Sequence, residues 1–166
     1  MLRRGTNAIT GCGRVYIPFF VVITGQACSL KCRDCVNLTP YAPPHTMRYD
    51  ILKILDTLRQ ILSLSVIDVL QIQGGEAFLY PNLAGLLEFV LENKAVKRVV
   101  IATNGTLMPN VGLDLLRNPK LSVRISAYEH LSRKSAELKQ YLDSNNVTNN
   151  MYSFASGIGR VWKLKM

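Results

Sequence analysis

The sequence predicts an α/β fold in which parallel strands are joined by helical crossovers. Two observations predict it: strand-like apolar segments alternate with segments of helical periodicity, and this alternation repeats about four times along 166 residues. An apolar content of 48% with 19% charged residues excludes a disordered chain. The chain is too short for a complete eight-stranded β/α barrel, which needs about 250 residues.

Four segments are predicted as strands. The first is a continuous apolar run, which is typical of a buried strand, and in the fourth apolar and polar residues alternate, which indicates a half-buried strand. These strands are residues 16–24, 66–73, 97–103 and 121–126, and residues 151–155 are a possible fifth strand.

Helices are predicted between the strands. Apolar residues recur at helical spacing from Ile51 to Leu62 and from Leu83 to Leu91, a shorter helix ends at Leu116, and a similar pattern precedes the possible fifth strand. The predicted helix starts are an N-cap at Asp50, a first-turn proline at Pro81, and N-caps at Asn110 and Ser132.

We expect one domain, because the chain has neither an internal linker nor a low-complexity stretch. Its predicted parts are a basic N-terminal tail at residues 1–15, a core at residues 16–156 and a basic C-terminal tail at residues 157–166.

The start of the chain resembles an export signal, with two arginines, an apolar run and then Cys28. However, the apolar run, residues 15–23, contains Pro18 and four β-branched residues, which suits a buried strand better. Nine residues are also too few to cross a bilayer, which needs about 20. We therefore expect a cytoplasmic protein without a membrane partner.

The formal charge of +9 is concentrated at the ends of the chain. Residues 1–33 hold five bases and no acid, residues 144–166 hold three bases and no acid, and the part between them is almost neutral. Because no five or six bases are consecutive, solvated basic ends explain the charge better than a nucleic-acid-binding face does. Such ends also suit an anionic substrate or an electron-donor protein.

Polar and unusual residues gather at one rim of the predicted sheet. In a parallel α/β sheet, ligands bind beyond the carboxyl ends of the strands. The loops at those ends contain three clustered cysteines, a Gly-Gly-Glu, an Asn-Gly and a serine; they are residues 25–35, 74–77, 104–106 and 126–128.

Cys28, Cys32 and Cys35 have the spacing C-x-x-x-C-x-x-C, at which a curled loop can present three thiolates to one metal centre. A four-iron cluster is usually held by four cysteines, so three would leave one iron open. Two alternatives are a structural zinc site completed by His45 and a redox pair of Cys32 with Cys35. Cys12 is predicted to be an unpaired thiol.

In this order along the chain, the motifs resemble the radical S-adenosylmethionine (radical SAM) superfamily. The triple-cysteine motif follows the first strand, Gly74-Gly75-Glu76 follows the second, Asn104 follows the third and Ser126 ends the fourth. The resemblance covers about residues 16–142. It implies a partial, open parallel β/α barrel, since the family core normally has six βα units and this chain shows four, with a possible fifth strand.

The resemblance also implies a [4Fe–4S] cluster and S-adenosylmethionine as cofactors. A reduced cluster would cleave S-adenosylmethionine to a 5′-deoxyadenosyl radical, which abstracts hydrogen from a substrate that the sequence does not identify. The electron would come from a donor such as a flavodoxin or ferredoxin. By position, the cluster ligands would be Cys28, Cys32 and Cys35; the methionyl ammonium would meet Gly74, Gly75 and Glu76; and Asn104 and Ser126 would lie near the ribose or carboxylate.

Two residues depart from the family pattern. Asp34 stands where an aromatic residue commonly contacts the adenine, and Ala77 stands where proline commonly ends the glycine-rich motif. Two other functions stay open: a zinc-stabilised basic module that contacts nucleic acid or protein through Cys28, Cys32, Cys35 and His45, and a truncated relative that binds a cluster but cleaves nothing.

Overall fold

Five strands form one parallel sheet in the order in which they occur along the chain. The computed structural model describes residues 13–32, 35–128 and 131–154. The strands are β1 (Val15–Ile23), β2 (Ser65–Gln73), β3 (Val96–Thr103), β4 (Leu121–Tyr128) and β5 (Asn149–Phe154). Within these residues β1 and β5 are the two edges of the sheet, so the predicted α/β fold with an open, partial barrel is confirmed.

A helix lies between each pair of successive strands. The helices are α1 (Ile51–Leu64), α2 (Leu83–Glu92), α3 (Leu113–Leu116) and α4 (Ser135–Ser144), and three short 3₁₀ turns occur at Thr39–Tyr41, Pro44–Thr46 and Ala77–Leu79. None of the helices in the described residues has both the length and the apolar character needed to cross a membrane.

Most of the hydrophobic core lies between the helices and one face of the sheet. Val22, Ile72, Ile101 and Val123 are neighbours across four strands on this face, and all four are buried. Each buried leucine stabilises the fold by about 1.5–3 kcal/mol relative to an exposed one. The helices contribute the buried leucines Leu58, Leu62, Leu83, Leu86, Leu87, Leu91, Leu116, Leu138 and Leu142.

The opposite face of the sheet becomes polar toward the carboxyl ends of the strands. Gln71 lies centrally on this face and is buried, and its Nε2 donates to Oε1 of Gln73. The Oε1 atom of Gln71 has no hydrogen-bond partner within the described residues. Arg124 and Ser126 lie half-buried on the same face of β4. Polar groups therefore collect on this face of the sheet.

Most predicted elements are confirmed to within two residues, including β5 and the start of α1. The Asp50 carboxylate accepts a hydrogen bond from the Leu52 N–H at 2.9 Å, as an N-cap does. The predicted first-turn position of Pro81 is wrong, because α2 begins at Leu83 with Asn82 as its N-cap, so Pro81 lies two residues before the helix.

The predicted N-caps at Asn110 and Ser132 are wrong, because both side chains bind distant parts of the chain. The Asn110 amide donates to the Tyr80 carbonyl at 3.1 Å, and α3 begins after Gly112. The Ser132 hydroxyl donates to the Asn104 carbonyl at 2.5 Å, and α4 begins three residues later. Hydrogen bonds to distant parts of the chain thus take the place of the predicted capping hydrogen bonds.

Some predictions fall outside the described residues. These are Cys12, Asp34, most of the N-terminal tail and the whole C-terminal tail.

Candidate active site

The three clustered cysteines lie in the loop that follows β1, at the carboxyl-end rim of the sheet. All three are half-buried, and none forms a disulfide. The sulfur of Cys28 accepts hydrogen bonds from the Leu30 N–H at 3.3 Å and from the Asn104 side-chain amide at 3.5 Å. The sulfur of Cys35 lies 3.4 Å from the Thr39 hydroxyl. The Cys28 sulfur, which would carry negative charge in a cluster, therefore already accepts two hydrogen bonds.

The electrostatics of the loop favour protonated thiols when no cation is bound. Burial raises the pKa of the Cys28 thiol to about 11; the Leu30 N–H opposes this shift, and the charges of Glu76, Cys32 and Cys35 add to it. Burial also raises the pKa of Cys32, with a further contribution from Cys35. Iron cations supply the positive charge that reverses this preference, because metal binding deprotonates thiols.

Cysteine thiolates are the usual ligands of an iron–sulfur cluster, so the three cysteines of this loop suit one. Within the described residues no three His, Cys, Asp or Glu side chains converge as a single metal ion requires. Cluster cysteines each bind a different iron, so they need not converge on one point. His45 instead lines a cavity of about 510 Å³ beside β1 and α1, with Arg48 and Lys53 among its neighbours. The structure therefore does not group His45 with Cys28, Cys32 and Cys35 in this part of the chain.

Gly74 and Gly75 allow the end of β2 to pack directly against the cysteine loop. A Cβ atom on Gly74 would lie 2.7 Å from the Gly25 carbonyl oxygen, and one on Gly75 would lie 2.3 Å from the Ala27 carbonyl oxygen. The Gly75 N–H donates to the Gly25 carbonyl at 3.0 Å, and the Glu76 N–H donates to the Ala27 carbonyl at 2.8 Å. Only glycine permits this close backbone approach.

Glu76 is a buried carboxylate that joins the ends of β2 and β3. Its Oε1 accepts from the Phe78 N–H at 3.0 Å and the Thr103 hydroxyl at 2.8 Å, and its Oε2 accepts from the Asn104 N–H at 2.8 Å. Burial raises its pKa, and these three hydrogen bonds oppose the rise. A carboxylate has about four acceptor positions, and these hydrogen bonds occupy three of them.

Asn104 connects Glu76 to the cysteine loop. Its side-chain Nδ2 donates to Ser29 Oγ at 3.1 Å as well as to the Cys28 sulfur. Its Oδ1 accepts from the backbone N–H and the hydroxyl of Thr106, at 3.1 and 2.6 Å. Both the Nδ2 and the Oδ1 atoms of Asn104 thus form hydrogen bonds within the protein.

Ser126 lies on β4 two residues before Tyr128, which the sequence reasoning missed. Burial raises the pKa of Tyr128, the charges of Cys32, Cys35 and Cys28 add to the rise, and a hydrogen bond to Ser126 opposes it. The Tyr128 phenol and the three thiols therefore interact electrostatically. The sequence could have indicated Tyr128, because residues i and i+2 of a strand share a face and Ser126 was already a candidate.

Asn37 is a second residue that the sequence reasoning missed. Its side-chain amide donates to the Gly74 carbonyl at 2.8 Å, so it fastens the segment after Cys35 to the glycine-rich turn. The pattern of the sequence gave no sign of this contact, because it joins residues 37 positions apart. The structure thus brings the cysteine loop, Gly74-Gly75-Glu76 and Asn104 into one hydrogen-bonded unit.

Comparison with known proteins identifies the family of this chain. Residues 9–146 match the family described as "4Fe-4S single cluster domain". Over 124 residues, or 73% of its length, the chain is 32% identical to the antilisterial bacteriocin subtilosin biosynthesis protein AlbA of Bacillus subtilis (strain 168). The chain belongs to the radical SAM superfamily. The description of the matched family names a [4Fe–4S] cluster as its cofactor.

Solved structures share the fold at low sequence identity. Streptococcus suis SuiB bound to precursor peptide SuiA matches with a TM-score of 0.66 and 18% identity, over 83% of this chain and 33% of SuiB. Native anSMEcpe with bound AdoMet and Cp18Cys peptide matches with a TM-score of 0.63 and 16% identity, over 82% of this chain and 42% of anSMEcpe. The chain spans 27% of the length of AlbA.

Proposed function

We propose that this chain is the catalytic core of a radical SAM enzyme that acts on a polypeptide. The observation that carries the proposal is the link from Cys28 through Asn104 to Glu76, which joins a candidate cluster ligand to a candidate ammonium acceptor. When bound, the cluster and S-adenosylmethionine supply an electron and a 5′-deoxyadenosyl radical that abstracts hydrogen from the substrate.

In this proposal Cys28, Cys32 and Cys35 hold the cluster. Gly74, Gly75 and Glu76 receive the methionyl ammonium, because a carboxylate binds an ammonium ion through charge-assisted hydrogen bonds. Asn104 lies beside the ribose or carboxylate of S-adenosylmethionine and holds Glu76 and Cys28 in place, and Ser126 contacts the same part of the ligand.

A polypeptide substrate is supported by the polar face of the sheet and by the relatives. The unpaired Oε1 of buried Gln71 can accept a backbone N–H, and Arg124 on the same face can bind a carboxylate. SuiB and anSMEcpe were solved with peptides bound, and AlbA serves bacteriocin biosynthesis.

Anaerobic reconstitution with iron and sulfide tests the cluster and its chemistry. We expect an iron-loaded chain that releases 5′-deoxyadenosine from S-adenosylmethionine after reduction. Replacing Cys28, Cys32 or Cys35 with alanine should abolish both properties, because each thiolate holds one iron.

Cys12→Ala is the matched control and should keep iron and activity. An equal loss in this variant would contradict the ligand assignment. A cluster that forms without release of 5′-deoxyadenosine would instead favour a cluster-binding relative that does not cleave S-adenosylmethionine.

A further inference from the structure

The strand β1 is an edge of the sheet within the described residues, and its sequence does little to protect that edge. Edge strands are normally short, charged or bulged, which prevents pairing with another chain. β1 has nine residues, none of them charged, and a single proline, Pro18. Val15, Phe19 and Ile23 of this strand expose 46%, 52% and 38% of their surface. An apolar edge of this length is a surface that a further strand can cover.

The backbone of β1 offers hydrogen-bonding groups along this edge. Thr24, directly after β1, donates its N–H to the Gln73 carbonyl of β2 at 2.8 Å. Backbone groups of successive strand residues face opposite sides, so those of Phe19, Val21 and Ile23 face away from β2. In the part of the chain that the structure describes, no strand pairs with them. A segment with an extended backbone can therefore form main-chain hydrogen bonds there.

The chain itself fills this edge position just beyond β1. The Ala27 N–H donates to the Met47 carbonyl at 3.0 Å, and the Tyr49 N–H donates to the Thr24 carbonyl at 3.0 Å. Residues 47–49 therefore take the place of a neighbouring strand at this point. The open part of the edge lies along β1 and ends at Tyr49.

A groove lies beside the open edge, between β1 and the first turns of α1. Its volume is about 510 Å³, and Val21 belongs to its lining. Apolar side chains from both elements line it as well: Phe20, Val22, Ile54 and Leu58. Phe20 and Val22 share one face of β1, so side chains on that face of an added strand would enter the groove.

Basic side chains line the same groove. His45, Arg48 and Lys53 are all exposed there. Among the described residues none of the three has an ion-pair partner. Asp50 also lines the groove, but its carboxylate accepts the Leu52 N–H at 2.9 Å as the cap of α1. The groove therefore favours a side chain with negative charge.

We propose that the open edge of β1 and this groove bind an extended acidic segment of the polypeptide substrate, separate from the residue that reacts. The inference rests on the proposed function, because that function supplies the polypeptide. Side chains of an added strand alternate between its two faces. Those on one face would cover Phe19 and Ile23, and acidic ones on the other face would lie near Arg48 and Lys53. Main-chain pairing supplies the affinity in this mode of recognition, and the side chains supply the specificity.

Charge disfavours other segments of this protein as the occupant. A second copy paired through its own β1 would bring the same bases to the interface, and like charges oppose association. Residues 1–12 and 155–166 of this chain contain bases and no acid. The charges therefore select an acidic segment of another polypeptide.

Calorimetric titration of the full chain with a synthetic octapeptide tests the proposal. Valine and glutamate alternate in the peptide, and both of its ends are blocked. We expect one peptide to bind per chain. A peptide with lysine in place of glutamate should bind about tenfold more weakly, and one with every backbone nitrogen methylated should not bind. Equal binding of the three peptides, or no binding of the first, would overturn the proposal.

NMR of the ¹⁵N-labelled chain locates the bound glutamate peptide. The amide signals of Phe19, Val21 and Ile23 should shift, because these N–H groups face the open edge. The signals of β5, the other edge strand in the described residues, should not shift. Shifts at β5 without shifts at β1 would contradict the assignment of the edge.

Arg48→Gln with Lys53→Gln removes charge from the groove and should weaken binding of the glutamate peptide by about three- to tenfold. The matched control is Lys94→Gln with Lys134→Gln, which removes the same charge from exposed positions that do not line the groove. This control should bind the peptide as the wild-type chain does. Equal losses in the two variants would show that net charge, and not the groove, attracts the peptide, and the proposal would fail.

Photo-crosslinking identifies the occupant of the groove. With p-benzoylphenylalanine in place of Tyr49, which lines the groove, the added octapeptide should be the crosslinked partner. A crosslink to a second copy, or to the ends of the same chain, in place of the peptide would sink the proposal.

Titration before and after cluster reconstitution separates this inference from the proposed function. If the peptide binds both forms but no 5′-deoxyadenosine is released, the proposed function fails and the groove stands. If 5′-deoxyadenosine is released but the peptide does not bind, the groove alone fails.

Discussion

At the scale of single residues, Asn104 connects the parts of the site. Its backbone N–H binds Glu76, its carbonyl accepts from Ser132, and its side chain reaches Cys28 and Ser29. Partly buried polar networks such as this one stabilise a single arrangement, because each group that loses its partner costs the free energy of desolvation. Asn104 therefore positions both the candidate cluster ligand and the candidate ammonium acceptor.

Asn104→Leu removes the only side-chain amide that donates to the Cys28 sulfur within the described residues. Loss of a hydrogen bond to a cluster sulfur disfavours the reduced, more negative cluster, so the midpoint potential should fall. The free energy of unfolding should also fall by about 1–3 kcal/mol, because Thr106 and Ser29 lose a partner. Potentiometric titration monitored by EPR measures the first effect, and urea unfolding measures the second.

Ser29→Ala is the control for this change. It removes a partner of the Asn104 amide but leaves the contact with Cys28. We expect the wild-type potential in this variant. A common shift in both variants would mean that general disturbance of the loop, rather than the bond to sulfur, sets the potential.

At the scale of elements, the site depends on the close packing of two loops. The end of β2 approaches the cysteine loop so closely that Gly75 would place a Cβ atom 2.3 Å from the Ala27 carbonyl oxygen. The glycines are therefore needed for the fold of the site as well as for access of a ligand.

Gly75→Ala should lower the free energy of unfolding by about 1–3 kcal/mol, because the added methyl group forces the two loops apart. Urea unfolding of the cluster-free chain measures the effect. Gly85→Ala is the matched control, since Gly85 lies on the exposed side of helix α2 and a Cβ atom there meets nothing within 4 Å.

In the Gly85→Ala control, the free energy of unfolding should rise by about 0.5–1 kcal/mol, because alanine is the better helix former. Equal effects of the two substitutions would show that the contact with Ala27 does not constrain the loop.

The elements also show which structural features can be read from sequence. The Asp50 cap was predictable because its acceptor lies two residues from its donor. The roles of Ser132 and Asn110 were not, because their partners lie 28 and 30 residues away and only the folded sheet brings them together. Local rules predicted the strands and helices, whereas the contacts that join the loops needed tertiary structure.

At the scale of the whole molecule, strand order explains why the site could be found from sequence. The triple-cysteine, Gly-Gly-Glu and Asn-Gly motifs each follow a strand, and parallel pairing from β1 to β4 brings their ends to one rim. The sequence did not predict Tyr128 and Asn37 as site residues, because they belong to no motif. Asn37 contributes through its hydrogen bond to Gly74, and Tyr128 interacts electrostatically with the three thiols.

The central claim is that the cysteine loop and Gly74-Gly75-Glu76 together hold a cluster with an iron open to S-adenosylmethionine. The most direct measurement is the EPR spectrum of the reduced, reconstituted chain before and after S-adenosylmethionine is added. We predict that the ligand changes the spectrum of the wild-type chain, because it binds the open iron. An unchanged spectrum, or a chain that binds zinc through His45 instead of iron, would contradict the claim.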